Sequence, residues 1–310
     1  MEQIYDLVIV GSGPAGLAAG IYGARAELKM IILEKEPVNG GQIVNTYEIE
    51  NYPGIPDGSG YDLAEKFRAH CERFGVEFKT CEVEKITLEK DIKLVSMADG
   101  EQICSKTILF ATGTQYRKLG VKGEEELAGL GVSYCATCDG AFFRNRITMV
   151  VGGGDVAVED AIFLSRLCKK VYVVHRRSEF RAAKTLVRKL KACPNVEIIW
   201  DSVVEEICGE NMVEEIVIKN VNTKAVQHIA ANGIFIAIGN IPNSQIIKDM
   251  IETDELGYVR ASEDCKTSIP GIFAAGDVRT KTLRQVVTAA SDGANAITSV
   301  ERYLNENENL

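Results

Sequence analysis

Histidine and tryptophan are scarce in this sequence, which has three His and one Trp in 310 residues. The histidines, at positions 70, 175 and 228, are far apart in the chain. Nine cysteines are present, but only one pair is close, so a four-ligand zinc site would have to recruit distant residues. We therefore predict no metal site.

An excess of positive charge is also missing. The formal net charge is −9 and the sequence pI is about 5.1, whereas general nucleic-acid binding requires a basic surface. No apolar run reaches the roughly 20 residues that a membrane span needs. The chain passes from Met1 to the apolar run 7–10 without a basic segment or cleavage site. We predict no nucleic-acid partner, no membrane span and no signal peptide.

The cysteines do not form the even set of a secreted disulfide framework. Their count is odd and most stand alone, which favours a reducing compartment and predicts a cytoplasmic protein. The exception is Cys135-Ala136-Thr137-Cys138, with Asp139 directly after it. Such a pair is a redox disulfide, half of a zinc site or two unrelated buried cysteines, and the pair alone does not decide among these.

Glycine is plentiful, with 28 residues, several of them in clusters. The first cluster, Gly11-Ser12-Gly13-Pro14-Ala15-Gly16, lies between the apolar run 7–10 and a helical stretch. A second apolar run, 30–33, is followed by Glu34, 23 residues after Gly11. This order of strand, turn, helix, strand and acid is typical of a dinucleotide site, with the helix N-terminus at the pyrophosphate and the acid at ribose hydroxyls.

The pattern recurs at Gly152-Gly153-Gly154-Asp155-Val156-Ala157. The same offset of 23 residues from Gly152 leads to His175, and a basic cluster follows at Arg176, Arg177 and Arg181. Arginines pair with a 2′-phosphate that a carboxylate would repel. We therefore predict NADPH at the second turn and a nucleotide with a free ribose hydroxyl at the first. For His175, stacking or capping without a charge is an alternative.

The basic residues beyond this cluster fall on the next predicted helix and are interpreted as a solvated face. They are Lys184, Arg188, Lys189 and Lys191.

Further segments carry candidate cofactor contacts. Gln42 and Asn51 lie in turn-rich segments and are either ligands of a polar ring or loop capping groups. The strand 107–110 ends in Ala111-Thr112-Gly113, and the segment 233–239 repeats this ending. Asp277 follows a short apolar strand and either reaches a cofactor's polyol or phosphate or belongs to an ordinary strand–turn–helix.

In combination, these motifs resemble those of the low-molecular-weight thioredoxin reductases, the bacterial type of NADPH-dependent flavoprotein, over essentially the whole chain. The resemblance implies an α/β fold of two Rossmann-like three-layer dinucleotide-binding domains, the second inserted in the first. Residues 1–114 and 245–310 would form the FAD-binding domain, and residues 115–244 the NADPH-binding domain that carries the cysteine pair. A homodimer is also implied. Val156 departs from the family, in which Ser or Thr is common at this position.

The resemblance assigns residues to each site. The FAD contacts are Gly11, Ser12, Gly13, Pro14, Ala15, Gly16, Glu34, Lys35, Gly41, Gln42, Asn51, Val83, Ala111, Thr112, Gly113, Gly276, Asp277, Arg284, Gln285 and Val286. The NADPH contacts are Gly152, Gly154, Asp155, Val156, Ala157, Glu159, His175, Arg176, Arg177, Arg181, Ile238 and Gly239.

The implied reaction passes electrons from NADPH to FAD, then to the Cys135–Cys138 disulfide and finally to the disulfide of thioredoxin. Cys138 would lie next to the flavin, Cys135 would attack thioredoxin, and Asp139 would be the general acid–base. A helix N-cap is the alternative for Asp139. Phe142 and Phe143 would dock thioredoxin, with plain core residues as the alternative. The cysteine pair must reach the flavin and then thioredoxin, and the nicotinamide must reach the same flavin. In the family, rotation of the NADPH domain between two states allows these contacts.

Two rival functions share these motifs. One is an NADPH reductase of the same scaffold that reduces another disulfide protein. The other is a flavin-bearing redox sensor, in which the cysteine pair gates a partner without turnover. A complete NADPH site argues against the sensor, because a sensor need not bind a reductant so specifically.

Overall fold

The computed structural model describes residues 4–46, 49, 51–55, 58–90 and 92–307. Three short 3-10 helices occur at Gly41–Asn45, Gly140–Phe143 and Gly276–Val278. The α-helices and strands, in chain order, are β1 (Ile4–Val10), α1 (Pro14–Arg25), β2 (Met30–Glu34), α2 (Gly60–Arg73), β3 (Glu77–Thr80), β4 (Val83–Glu89), β5 (Ile92–Met97), β6 (Gln102–Phe110), β7 (Thr114–Tyr116), β8 (Val132–Ser133), α3 (Ala136–Asp139), β9 (Ile147–Val151), α4 (Asp155–Ser165), β10 (Lys170–Val174), α5 (Lys184–Lys191), β11 (Val196–Ile199), β12 (Ser202–Cys208), β13 (Glu215–Asn220), β14 (Val226–Ala230), β15 (Gly233–Ile236), β16 (Asn240–Pro242), β17 (Ile272–Ala274) and α6 (Val286–Asn307).

The chain divides into two compact units. The first contains the described residues of Met1–Asn45, Ile49–Gln115 and Ile241–Leu310, and the second contains those of Thr46–Glu48 and Tyr116–Asn240. The main segment of the second unit therefore lies between two segments of the first. The strands β7 and β16 form a small two-stranded sheet of their own.

The first unit is built on parallel strands in the order β3-β2-β1-β6, with β17 parallel to the end of β6. The first part of β6 pairs antiparallel with β5, which pairs with β4. In β1, Leu7 and Ile9 pack against the helices α1, α2 and α6, while Val8 and Val10 pack on the face that β4 and β5 cover. Because both faces are covered, residues 7–10 of β1, 30–33 of β2 and 108–110 of β6 are apolar on both faces, as is usual for a parallel sheet.

The second unit repeats this architecture. Its parallel strands run β11-β10-β9-β15-β8, and β12, β13 and β14 form an antiparallel sheet. In β9, Val150 belongs to the core shared with the α4 and α5 helices, while Met149 and Val151 belong to the core shared with the antiparallel strands. Both units thus have the three-layer α/β arrangement that the family resemblance implies.

None of the described helices is long and apolar enough to cross a membrane.

Candidate active site

The close cysteine pair forms a disulfide. Cys135 and Cys138 lie at the start and within the single turn of α3, with their Cα atoms 5.3 Å apart, which is an ordinary separation for bonded cysteines. The backbone amides of Cys138 and Asp139 both donate to the carbonyl oxygen of Cys135 and close this turn. Of the three interpretations that the sequence left open, the redox disulfide is the one that this geometry supports. Across the described ranges, no three His, Cys, Asp or Glu side chains converge to hold a metal.

Asp139 sits at the end of α3 and makes no side-chain capping bond to the 3-10 helix that follows. Its Oδ2 accepts a hydrogen bond from Ser133 Oγ at 2.6 Å, while its Oδ1 is buried without a hydrogen-bond partner among the described residues. Burial raises the pKa of this carboxyl, and the Ser133 hydrogen bond opposes that shift. The raised pKa brings the carboxyl closer to neutral pH, where it can both give and take a proton.

The first glycine turn brings β1, α1 and the end of β6 into close contact. A Cβ at Gly11, where φ is +103°, would lie 2.6 Å from the Ala111 carbonyl oxygen, and one at Gly16 would lie 2.0 Å from the Gly11 carbonyl oxygen. At Gly13 a Cβ would meet nothing within 4 Å. Gly13 is the N-cap of α1 and has no side-chain cap. The helix N-terminus can therefore receive a phosphate group at this position.

Glu34 is held at the end of β2 beside this turn. Its Oε2 accepts hydrogen bonds from Ser12 N and Ser12 Oγ, both at 2.7 Å. Its neighbour Lys35 is exposed and pairs with Glu36 at 3.7 Å. Val83, by contrast, is buried in the core on the face that β4 and β5 cover. The acid is therefore positioned next to the glycine turn, as a ribose contact requires.

Asp277 and Arg284 present unpartnered polar atoms at the C-terminal part of the first unit. Asp277 Oδ1 and Arg284 Nε are both buried without a hydrogen-bond partner among the described residues. The Arg284 guanidinium lies 4.1 Å from the centre of the Tyr258 ring. Burial raises the pKa of Asp277, while the cations Lys281 and Arg284 act to lower it. A cofactor with hydroxyl and phosphate groups would supply the acceptor and donor that these atoms need.

A buried ion cluster fixes the segment that carries Asp277. Asp292 on α6 accepts hydrogen bonds from the Gly276 amide at 2.9 Å, from Arg279 Nη2 at 2.6 Å and from Lys281 Nζ at 2.8 Å. Burial alone would raise the pKa of Asp292, but the bonds from Arg279 and Lys281 outweigh it and lower the pKa. The carboxylate therefore stays charged and anchors the 3-10 helix that contains Asp277.

Loops of the first unit hold the remaining predicted FAD residues. Gly41 lies next to the first turn, since a Cβ there would be 3.5 Å from the Gly13 Cα. The Gln42 side chain donates to Thr114 Oγ1 at 2.8 Å. Thr112 Oγ1 donates to the Asn243 carbonyl oxygen at 2.7 Å, and Gly113 follows it with φ +64°.

Asn51 and Gln285, which are 234 residues apart in the sequence, are brought together. Asn51 Nδ2 donates to Gln285 Oε1 at 3.1 Å, and Val286 directly after Gln285 begins α6. Both residues were predicted to contact FAD.

The second glycine turn has the same geometry as the first. A Cβ at Gly152 would lie 2.3 Å from the Ala237 carbonyl oxygen and 2.6 Å from the Ala157 Cβ. At Gly154, the N-cap of α4, a Cβ would again meet nothing within 4 Å. On α4 the side chains of Val156 and Glu159 are exposed. The second unit therefore has an equivalent place for a phosphate at the start of a helix.

His175 packs directly against the second turn. A Cβ at Gly153 would lie 2.1 Å from His175 Cε1, and the buried imidazole is 5.5 Å from the Phe180 ring and 6.3 Å from the Trp200 ring. Burial, reinforced by the nearby arginines, lowers the pKa of His175. The lowered pKa leaves the ring uncharged at pH 7, and the ring packs tilted against Phe180 and edge-on against Trp200.

The basic loop is attached to the same turn. Arg181 N donates to the Gly153 carbonyl oxygen at 2.8 Å, and Ala183 N donates to Asp155 Oδ1 at 2.7 Å. The side chains of Arg176, Arg177 and Arg181 are exposed. Ile238 and Gly239 follow β15, where the Gly239 carbonyl oxygen accepts a bond from Arg117 N at 3.0 Å. Three exposed cations therefore lie on a loop whose backbone is bonded to the second glycine turn.

Buried polar side-chain atoms without a partner are concentrated at these sites. The described residues contain five such atoms: Asp139 Oδ1, Thr148 Oγ1, His175 Nε2, Asp277 Oδ1 and Arg284 Nε. Four of the five belong to residues that the sequence had assigned to catalysis or cofactor binding. Because folded proteins rarely leave such atoms unpaired, the concentration indicates groups reserved for a ligand or a reaction.

A family model described as "Pyridine nucleotide-disulphide oxidoreductase" matches residues 5–293. The chain belongs to this family. A protein named "Thioredoxin reductase" from Peptoclostridium acidaminophilum is 45% identical and covers 99% of each chain, and one from Listeria innocua is 43% identical over 98% of this chain and 95% of its own. The crystal structure of thioredoxin reductase from Streptococcus pyogenes is 48% identical, with a TM-score of 0.93 over 99% of this chain and 100% of that one. The predicted family and fold class are confirmed.

One predicted docking residue needs correction. Phe143 is buried in the core of the second unit, where its ring meets Phe235 edge-on at 5.2 Å, and a Cβ at Gly233 would lie 2.2 Å from it. Phe143 is therefore a core residue, the alternative given for it above. Its neighbour Phe142 is 37% exposed.

Sequence reasoning missed two residues that shape these sites. Asp292 falls on the inner stripe of α6 with Ala289, Ala296 and Val300, all buried. An acid on an apolar stripe at helical spacing is a signal that could have revealed it. Ser133 gave no such signal, because one hydroxyl in a short apolar strand is common.

The second glycine turn contains glycines of two kinds, one whose Cβ would collide with the backbone and one whose Cβ would meet no protein atom. Substitution distinguishes them. At Gly154 a methyl group meets no protein atom, so we expect Gly154→Ala to keep the thermal unfolding midpoint of the wild type but to weaken pyridine-nucleotide binding by about tenfold or more, because the backbone can no longer approach the phosphates. Gly152→Ala should instead lower the midpoint, because its Cβ would meet the Ala237 carbonyl oxygen. Titration calorimetry and a thermal melt check both; unchanged affinity in Gly154→Ala would contradict the assignment.

Proposed function

We propose that this protein is an NADPH-dependent thioredoxin reductase. The observation that carries the proposal is the Cys135–Cys138 disulfide in the same unit as a glycine turn with a basic loop. The first unit, with its own glycine turn, offers a second dinucleotide site. Relatives that match nearly the whole chain at 40–45% identity carry the name thioredoxin reductase.

The residues of the first unit fit FAD. The α1 N-terminus would hold the pyrophosphate, Glu34 the ribose hydroxyls, and Asp277 and Arg284 the polyol and phosphate groups that their unpartnered atoms require. When bound, FAD accepts two electrons from NADPH and passes them to a disulfide.

The residues of the second unit fit NADPH. The α4 N-terminus would hold the pyrophosphate, and the exposed Arg176, Arg177 and Arg181 would pair with the 2′-phosphate. The neutral His175 ring would pack against Gly153 and support the turn. Asp155 binds the Ala183 amide, so its contribution would be to hold the basic loop in place.

The cysteine pair performs thiol–disulfide exchange. After reduction, the Cys135 thiolate attacks the partner disulfide and forms a mixed disulfide, and Cys138 then attacks Cys135 and releases the partner as a dithiol. Asp139 transfers protons between these steps, since its buried Oδ1 has no competing hydrogen bond among the described residues. The partner is thioredoxin, and Phe142 remains the proposed contact for it.

Replacing one cysteine tests the dithiol mechanism. In Cys135→Ser we expect thioredoxin reduction by NADPH to fall at least about a hundredfold, because no thiolate remains to attack the partner. Cys193→Ser is the matched control, a half-buried thiol of the same unit that contacts Ser165 and should leave turnover unchanged. An NADPH oxidation assay with purified thioredoxin gives the answer. Robust turnover in Cys135→Ser would refute the mechanism. If the wild type reduces another disulfide protein but not thioredoxin, the partner is not thioredoxin.

The basic loop sets the choice of nucleotide. In the double variant Arg176→Gln and Arg177→Gln we expect the KM for NADPH to rise by about 10- to 100-fold and that for NADH to change far less, because NADH has no 2′-phosphate to pair with these side chains. Arg188→Gln with Lys189→Gln removes the same charge from exposed positions on α5 and is the control. Equal losses for both nucleotides would disprove the 2′-phosphate assignment.

We also propose a homodimer located in the cytoplasm, which rests on the likeness to low-molecular-weight thioredoxin reductases. Light scattering during size-exclusion chromatography should then give twice the 33.9 kDa of one chain. A mass of one chain at micromolar concentration would exclude the dimer.

A further inference from the structure

Ser133 links the disulfide to Asp139. It lies in β8, is 5% exposed, and its Oγ accepts a hydrogen bond from Cys135 N at 3.1 Å. The same Oγ donates to Asp139 Oδ2 at 2.6 Å and lies 3.4 Å from the Cys135 carbonyl oxygen. A hydroxyl has one proton to donate, and Asp139 Oδ2 at 2.6 Å is a stronger acceptor than the Cys135 carbonyl oxygen at 3.4 Å. Ser133 therefore receives a bond from the disulfide turn and gives one to the acid.

The two carboxyl oxygens of Asp139 therefore differ in their hydrogen bonding. Oδ2 is engaged by Ser133, whereas Oδ1 is buried with no partner in the described part of the chain. We propose that Ser133 is a positioning residue that holds Oδ2 so that Oδ1 is the oxygen that gives and takes the proton at Cys135–Cys138. The proposal rests on the thioredoxin reductase function given above. Ser133 itself touches the backbone of Cys135 and need not touch either sulfur atom.

The proton balance shows why one free oxygen matters. Two electrons from NADPH break the Cys135–Cys138 bond and leave two sulfur anions, and Oδ1–H supplies a proton to one of them. When the dithiol reduces a partner disulfide, the S–S bond between Cys135 and Cys138 forms again and the partner's S–S bond breaks to two thiolates, which take up two protons, one released by the oxidation of NADPH and one from solvent. One cysteine thiol then returns its proton to Oδ1. The carboxyl ends each cycle as it began.

Few charges act on Asp139. Burial raises its pKa, and the Ser133 hydrogen bond lowers it. The helix α4, which packs against α3, carries the carboxyls of Asp155, Glu159 and Asp160, and burial raises the pKa of Asp160 to about 7. None of these three is among the causes of the shift at Asp139. Loss of the Ser133 hydroxyl should therefore leave burial unopposed and raise the pKa of Asp139 further.

The experiment compares variants that keep or remove the hydroxyl. Ser133→Ala should move the limb of the pH profile for thioredoxin reduction that reports Asp139 by on the order of one pH unit toward higher pH. Ser133→Thr and Ser133→Val have the same shape and differ in the hydroxyl, so Thr should behave as the wild type and Val as Ala. Ser202→Ala is the matched control, a buried serine of the same unit, 3% exposed, whose Oγ donates to the Trp200 carbonyl oxygen at 2.8 Å.

A second measurement is independent of turnover. Infrared titration of the oxidised protein follows the carbonyl stretch of the protonated carboxyl, which Asp139→Asn assigns. The pKa from this band should rise in Ser133→Ala and Ser133→Val and stay at the wild-type value in Ser133→Thr and Ser202→Ala. If all four variants titrate as the wild type, the proposal is wrong even where thioredoxin is reduced. If the wild type does not reduce thioredoxin, the proposed function fails, and the infrared titration still decides the role of Ser133.

Discussion

The structure depends on one steric constraint that occurs once in each unit, the close approach of a glycine turn to the end of a central strand. The Ala111 carbonyl oxygen lies 2.6 Å from where a Gly11 Cβ would be, and the Ala237 carbonyl oxygen lies 2.3 Å from where a Gly152 Cβ would be. This approach places the first turn of α1 and of α4 at the carboxyl edge of its parallel sheet, where a dinucleotide is expected to bind. A side chain at either glycine would separate turn and strand, and the proposed phosphate site would be lost with the contact.

The two strand–turn–helix–strand units differ in the charge of the residues that follow their second strand. After β2, Glu34 is fixed by Ser12 and presents a carboxylate, which suits ribose hydroxyls. After β10, the equivalent residue is His175, a neutral ring buried against Gly153, and the charge is carried by the exposed Arg176 and Arg177. The scaffold is thus duplicated while the sign of the charge at the ribose end is reversed. Such a reversal allows one chain to hold two different nucleotides without exchanging them.

Features that depend on local spacing were predictable from the sequence. Each glycine turn belongs to a strand–turn–helix–strand unit, with the acid after β2 in the first copy and the arginines after β10 in the second. The repeat of that unit predicted two nucleotide-binding modules of the same design. Contacts made across the fold were not predictable. Phe143 is buried because Gly233 and Phe235 leave room for its ring, and Gln42 is bonded to Thr114, which is 72 residues away. Asp292 shows that a buried ion cluster can be suspected from a helical stripe, but its partners Arg279 and Lys281 cannot be paired with it without the structure.

Asp139 and Asp277 each have a buried Oδ1 without a hydrogen-bond partner among the described residues, but their surroundings differ. An unpaired buried polar group costs about 1–3 kcal/mol of stability, so its retention points to a use. The cations Lys281 and Arg284 favour the charged form of Asp277, which suits a fixed acceptor for cofactor hydroxyls. Asp139 has only the uncharged Ser133 hydroxyl to oppose its burial. Burial raises the pKa of both carboxyls, but Asp277 has cations beside it and Asp139 has none among the described residues, which suits Asp277 to the proposed ligand role and Asp139 to the proposed proton transfer. Under the proposed function, the same kind of side chain serves as a ligand in one unit and as a proton carrier in the other.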